Sequence, residues 1–192
     1  AQSLLLYLLA GLGLLVWFWN GRDASSLGFV WPSDANRAWY WSLTILLLLL
    51  YGFDLVIGCL LPGRRQIAAR RWRKHTPFLP ENRVEQMHGL QLAFCAGVTE
   101  EIVFRGYLIN YFTRLLSGQP LHGAVSPGIS GGVIAAIVLT SLIFGLSHLY
   151  LGWSDTIKVA VLAIILGFIF TLSGSLVIVI VLHVMIDVAA NL

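Results

Sequence analysis

Charge is scarce in this chain. Only 11% of its 192 residues are Asp, Glu, Lys or Arg, against about 25% in an average soluble domain. That excludes an ordinary water-facing surface. Cysteine is scarcer still. Cys59 and Cys95 both lie in apolar runs, which excludes a disulfide framework and a CxxC metal site. The string HExxH, which places two zinc ligands on one helical turn, is absent. No internal repeat and no strand-like alternation stands above background. The first residues, AQSLLLYLLAGLGLLVWFWN, lack an initiator Met, a basic n-region and a cleavage site. They read as a membrane span rather than a signal peptide, and further sequence can precede them.

Hydrophobic residues fill the space that charge leaves. They make up 58% of the chain, and the mean hydropathy is +0.83. Apolar segments cover 3–19, 38–61, 84–116, 130–149, 156–172 and 175–191. The cluster Trp17, Phe18, Trp19 and the cluster Trp39, Tyr40, Trp41 suit a membrane interface. The 84–116 stretch is helical in pattern. At about 1.5 Å per residue it reaches roughly 50 Å, too long for a hydrocarbon core of about 30 Å. It therefore reads as an interfacial helix followed by a span, with a bend near Gly97. The last two segments are separated by SGS, which requires a tight helical hairpin. The fold class expected is all-α, a polytopic transmembrane helix bundle, because a helix satisfies its own backbone hydrogen bonds in lipid.

Six of the twelve Lys and Arg residues lie between Arg64 and Lys74. A run this basic beside a span marks the cytoplasmic side. The 62–83 loop is thus assigned to the cytoplasm and the 20–37 loop to the outside. With apolar spans on both sides, the run is not a nucleic-acid-binding arm.

Ionisable side chains at membrane depth cost at least about 2.5–3.5 kcal/mol each, so they face inward, pair, and mark function. The candidates are Asp54, Glu100, Glu101, Arg105, His148, His183 and Asp187. Asp54 is read as a local cap, or as a partner of Arg64 or Arg65. The rest fall into three pieces, each with a spacing of four: Glu101 with Arg105, Phe144 with His148, His183 with Asp187. Four residues is about one helical turn, so each pair occupies one face. Three such faces turned inward build a polar pocket. Glu101 neutralises Arg105 and leaves Glu100 as the free carboxylate, a candidate general base. His148 and His183 can donate to an oxyanion or bind a metal, and Asp187 can orient His183. Taken singly, each pair also has a structural reading, as an interhelical lock or a hydrogen-bonded core histidine. His75, His88 and His122 fall in or near loops and are read as non-functional.

The strings EEIVFRGYL, FGLSHLYLG and HVMIDV resemble the three signatures of the CAAX prenyl endopeptidase and bacteriocin-processing family of intramembrane proteases. The family patterns E-E-x-x-x-R, F-x-x-x-H and H-x-x-x-N/D are matched in order by Glu100, Glu101 and Arg105, then Phe144 and His148, then His183 and Asp187. The resemblance covers 84–191. It implies an eight-helix or similar bundle with a conical pocket open toward the cytoplasm and the lipid, and glutamate-activated water as nucleophile. Asp187 stands where the eukaryotic prenyl-protein enzymes have Asn. This is a bacterial-branch trait, and it weakens any inference of a prenylated substrate.

Together these readings divide the chain at 83/84. Residues 1–83 supply two transmembrane helices and the basic loop, and 84–192 supply the peptidase core. The expected protein is an intramembrane endopeptidase of the bacterial cytoplasmic membrane, acting on membrane-associated peptides or proteins. The alternatives are a non-catalytic immunity or scaffold protein of the same family and an ion or proton transporter. No cofactor is favoured. If zinc is bound, its ligands are Glu100, His148 and His183, although the Arg105 charge opposes a divalent cation.

Overall fold

The computed structural model describes residues 2–61, 63, 83–118 and 129–191. Among them there is helix and no strand. Helices α1 (Gln2–Trp19) and α2 (Arg37–Leu60) precede a long rod. The rod consists of α3 (Arg83–Glu101), a π-helical stretch (Ile102–Ile109) and α4 (Asn110–Leu116). Then come α5 (Gly131–Ser147), α6 (Trp153–Ser173) and α7 (Leu176–Asn191). The chain is therefore an all-α bundle, six helical rods among the described residues. Helix α6 is long and apolar enough to cross a membrane, while α5 and α7 are shorter apolar helices. The basic stretch from Arg64 to Lys74 lies outside the described residues, as does the side chain of Asp54.

Each helix buries one stripe and leaves large apolar side chains outside, as a lipid solvent requires. On α2 the buried positions are Tyr40, Thr44 and Leu47, a helical spacing. Trp39 and Trp41 remain exposed, but Tyr40 turns inward. The α1 aromatic cluster splits in the same way. Phe18 and Trp19 face out, whereas Trp17 is buried, its Nε1–H donating to the Asp23 carbonyl at 3.0 Å.

The rod departs from the expected bend at Gly97. Helix α3 runs regularly through that residue. Gly97 instead lies flat against α7: a Cβ there would fall 2.8 Å from Val184 Cγ2. The irregularity comes five residues later, where the backbone widens into the π-helix. Such insertions cluster at functional sites. Asn110 Nδ2–H donates to the Gly106 carbonyl at 2.6 Å, which secures the end of the widened segment.

Pairings fix the helix directions. Gly97 meets Val184 and Gly106 meets Leu176, so the rod and α7 are antiparallel. Gly145 meets Ala160 and Gly167 meets Ile137, so α5 and α6 are antiparallel. Trp17 packs edge-on to Tyr107 at 6.1 Å, which puts the end of α1 beside the distal part of the rod. The start of α3 and the end of α7 therefore share one end of the bundle, toward which α5 also runs. At the other end the 20–37 loop straps the α6–α7 hairpin. Leu176 N–H donates to the Gly28 carbonyl at 2.6 Å, Ser175 Oγ to the Val30 carbonyl at 2.6 Å, and Ser33 N–H to the Ser173 carbonyl at 2.8 Å. The hairpin turns at Gly174 with φ 67°, the left-handed conformation glycine adopts without strain.

Candidate active site

The last turn of α3 carries Glu100 and Glu101 inward, and both are buried. Arg105 follows in the π-helical stretch and is 2% exposed. Its Nη1 donates to Glu101 Oε1 at 2.7 Å, and its Nη2 to the Ala163 carbonyl of α6 at 3.3 Å. A guanidinium this deep needs a carboxylate and further acceptors, and it has both. Its Cζ also sits 4.9 Å from the centre of the Phe144 ring, a cation–π contact.

Helix α7 brings His183 to the same place. Its Nδ1 lies 2.6 Å from Glu101 Oε1. A carboxylate only accepts, so Nδ1 carries the hydrogen and donates it. That leaves Nε2 facing two further carboxylates, Glu100 Oε2 at 3.8 Å and Asp187 Oδ2 at 3.6 Å. Glu101 is thus shared between Arg105 and His183 through one oxygen, while Glu100 meets only the far side of the imidazole.

His148 is placed differently from the expected helical face. Helix α5 ends at Ser147, and His148 is the residue that closes it, with φ −101° and ψ 14°. Its Nδ1 donates back to the Phe144 carbonyl at 2.9 Å. Neutral His148 therefore holds its proton on Nδ1, and Nε2 is an acceptor. The ring is half-buried, 4.7 Å from Phe144 centre to centre. Phe144 also meets His183 edge-on at 6.0 Å and Phe104 at 4.8 Å. One aromatic ring thus touches Arg105, His148 and His183, pieces contributed by all three sequence motifs.

The structure brings Glu100, Glu101, Arg105, His183 and Asp187 into one hydrogen-bonded and ionic cluster, with His148 attached through Phe144. His88 is exposed on α3, away from this cluster, and His75 and His122 lie outside the described residues. The sequence gives no sign of the Ala163 carbonyl, because a backbone acceptor carries no residue signature. Tyr150 was also missed. Its ring lies 6.0 Å from His148 at 28° between planes. Its signal was present but weak: an aromatic two positions after a motif histidine.

The proposed zinc set of Glu100, His148 and His183 was tested against this geometry. A catalytic zinc needs three protein ligands within about 2.0–2.3 Å of one point. Among the described residues, no three His, Cys, Asp or Glu side chains are grouped so as to hold a metal ion.

Neither a curated protein nor a solved structure matches the chain. A family model does: the type II CAAX prenyl endopeptidase Rce1-like model matches residues 86–189, more than half the chain, and contains every residue of the cluster. This membrane-embedded helix bundle therefore belongs to the type II CAAX prenyl endopeptidase Rce1-like family, a family of proteases.

Proposed function

We propose that the protein is an intramembrane endopeptidase that hydrolyses peptide bonds of membrane-associated peptides or proteins, with Glu100 activating the attacking water. The observation that carries this reading is the contrast between the two adjacent glutamates. Glu101 Oε1 accepts from both Arg105 and His183, while Oε2 is buried without a hydrogen-bond partner among the described residues. Glu100 is also buried, and among the described residues its carboxylate faces His183 Nε2 at the longer distance of 3.8 Å.

The steps follow from these positions. Glu100 accepts a proton from water, and the water oxygen bonds to the carbonyl carbon of the substrate. The carbonyl oxygen takes the displaced electron pair as an oxyanion. His183 and His148 donate to it from Nε2 when each is an imidazolium, because both Nδ1 hydrogens are already committed. The three carboxylates around His183 supply the counter-charge for its imidazolium. Collapse of the intermediate breaks the carbon–nitrogen bond, and Glu100 returns its proton to the leaving amine. Residues 84–192 form the peptidase core in this reading, and residues 1–83 its lipid-facing flank.

Convergence also favours a hydrolase over a transporter. A charge relay spreads its ionisable groups along the bilayer normal. Here Glu100, Glu101, Arg105, His183 and Asp187 are linked by contacts of 2.6–3.8 Å. The test is cleavage of a panel of tagged, membrane-anchored peptides by protein reconstituted in vesicles, in ¹⁸O-labelled water. The reading expects ¹⁸O in the new carboxyl terminus with the wild type and none with Glu100→Gln. Equal cleavage by the two proteins would sink it.

A further inference from the structure

The α5–α6 connection is built more tightly than its position at the end of the bundle requires. After His148 the chain makes one 3-10 turn, Leu149–Leu151. Leu151 N–H donates to the His148 carbonyl at 2.9 Å, and Gly152 N–H to the Leu149 carbonyl at 3.0 Å. Thr156 Oγ1, one turn into α6, donates to the same His148 carbonyl at 3.3 Å. Gly152 then reverses the chain with φ 93° and ψ 156°, a backbone region essentially reserved for glycine. Both the backbone of His148 and that of Tyr150 are thereby held in place.

This connection sets Tyr150 beside the His148 imidazole, with ring centres 6.0 Å apart and planes 28° from parallel. Tyr150 is 50% exposed, while Glu100, Glu101, Arg105 and His183 are buried. It stands at the lip of the cluster, beside His148. His148 has one hydrogen bond through Nδ1 to fix its ring, the 2.9 Å bond to its own helix, with Ser147 Oγ 3.1 Å from the same atom. Both contacts act at one nitrogen, so rotation of the ring plane must be limited by its neighbours, Phe144 and Tyr150. A tyrosine suits the place, since its ring body can pack while its hydroxyl reaches water.

We propose that Tyr150 is a positioning residue of this site, whose ring holds the His148 imidazole in the orientation that aims Nε2 at the reacting carbonyl. The inference rests on the hydrolase reading. Its test therefore has a readout that does not need turnover. The full-length protein in detergent micelles is compared with Tyr150→Phe, Tyr150→Leu and Tyr150→Ala. NMR relaxation of the His148 imidazole Cε1–H is assigned through a His148→Gln control, and thermal melting checks the fold. Tyr150→Phe keeps the ring and retains wild-type relaxation and kcat within about twofold. Tyr150→Leu and Tyr150→Ala free the imidazole and lower kcat by roughly ten- to a hundredfold at unchanged KM, the scale expected for a misplaced catalytic group. Unchanged His148 relaxation in Tyr150→Ala overturns the proposal, whatever the cleavage assay reads. So does a Tyr150→Phe variant as slow as Tyr150→Ala, which would assign the effect to the hydroxyl. A loss confined to KM likewise overturns it. Wild-type protein that cleaves nothing counts against the hydrolase reading, and the relaxation comparison still decides the role of Tyr150.

Discussion

His183 and Glu101 meet at 2.6 Å, Nδ1 to Oε1, across 82 residues of sequence. The contact has two consequences. It fixes which imidazole nitrogen carries the hydrogen, and it turns Nε2 toward Glu100. The same Glu101 oxygen receives Arg105 at 2.7 Å. A single carboxylate therefore ties α3, the π-helical stretch and α7 together, and its neighbour Glu100 faces the other nitrogen of the same imidazole.

Replacing Glu100 by Gln separates chemistry from folding. The amide keeps the volume of the carboxyl but cannot accept the proton of water. Turnover should fall by about 10²–10⁴-fold, the usual contribution of a general base, with the melting temperature close to wild type. Turnover of tagged membrane peptides and thermal melting in detergent check this. Activity at more than a tenth of wild type would remove Glu100 from the role of base.

Glu101→Gln should behave differently. Arg105 would lose its counter-charge at 2% exposure, and His183 would lose the charge that fixes its ring. Removing one partner of a buried pair costs about 3–5 kcal/mol. Expression and melting temperature should drop along with activity. If Glu101→Gln and Glu100→Gln melt alike, the division of labour between the two glutamates is wrong.

Gly97 offers a test of the α3–α7 contact that positions the site. An alanine Cβ would sit 2.8 Å from Val184 Cγ2 and 3.3 Å from the Val184 backbone nitrogen. A valine methyl on a packed helix cannot swing aside, so the helices must separate. Gly97→Ala should cost about 1–3 kcal/mol of stability, and activity should fall because Glu100 lies one turn further along. Adding Val184→Ala should restore part of both, because the backbone clash remains. Full stability in Gly97→Ala alone would show that the helices are not so closely packed.

Metal dependence is settled by removing divalent ions. The metal-free mechanism expects unchanged peptide cleavage through a chelator titration, and no stoichiometric zinc by elemental analysis of active protein. Activity lost to chelator and restored by zinc would reassign Glu100, His148 and His183 as ligands.

The site was legible in the sequence because intramembrane charge is costly. Glu100, Glu101, Arg105, His148, His183 and Asp187 stand out against apolar runs, and a spacing of four reports a shared helical face without any coordinates. The all-helical fold followed from the same solvent argument. What depends on long-range packing was not legible. The stretch after Glu101 reads as ordinary α-helix, because hydrophobic pattern does not distinguish a π-helical segment whose geometry is set by contacts with α6 and α7. Trp17 reads like its neighbour Trp19, yet only Trp17 is buried in the bundle. His148 reads as part of a helix that ends one residue earlier. Most of all, sequence spacing can pair only near neighbours. It linked Glu101 to Arg105 but could not reveal that His183 shares the same oxygen, since that depends on how α7 docks against Gly97. Local periodicity determined which ionisable residues share a helical face. Tertiary packing decided which of the two glutamates takes the short bond from His183, because that choice rests on a contact between helices far apart in the chain.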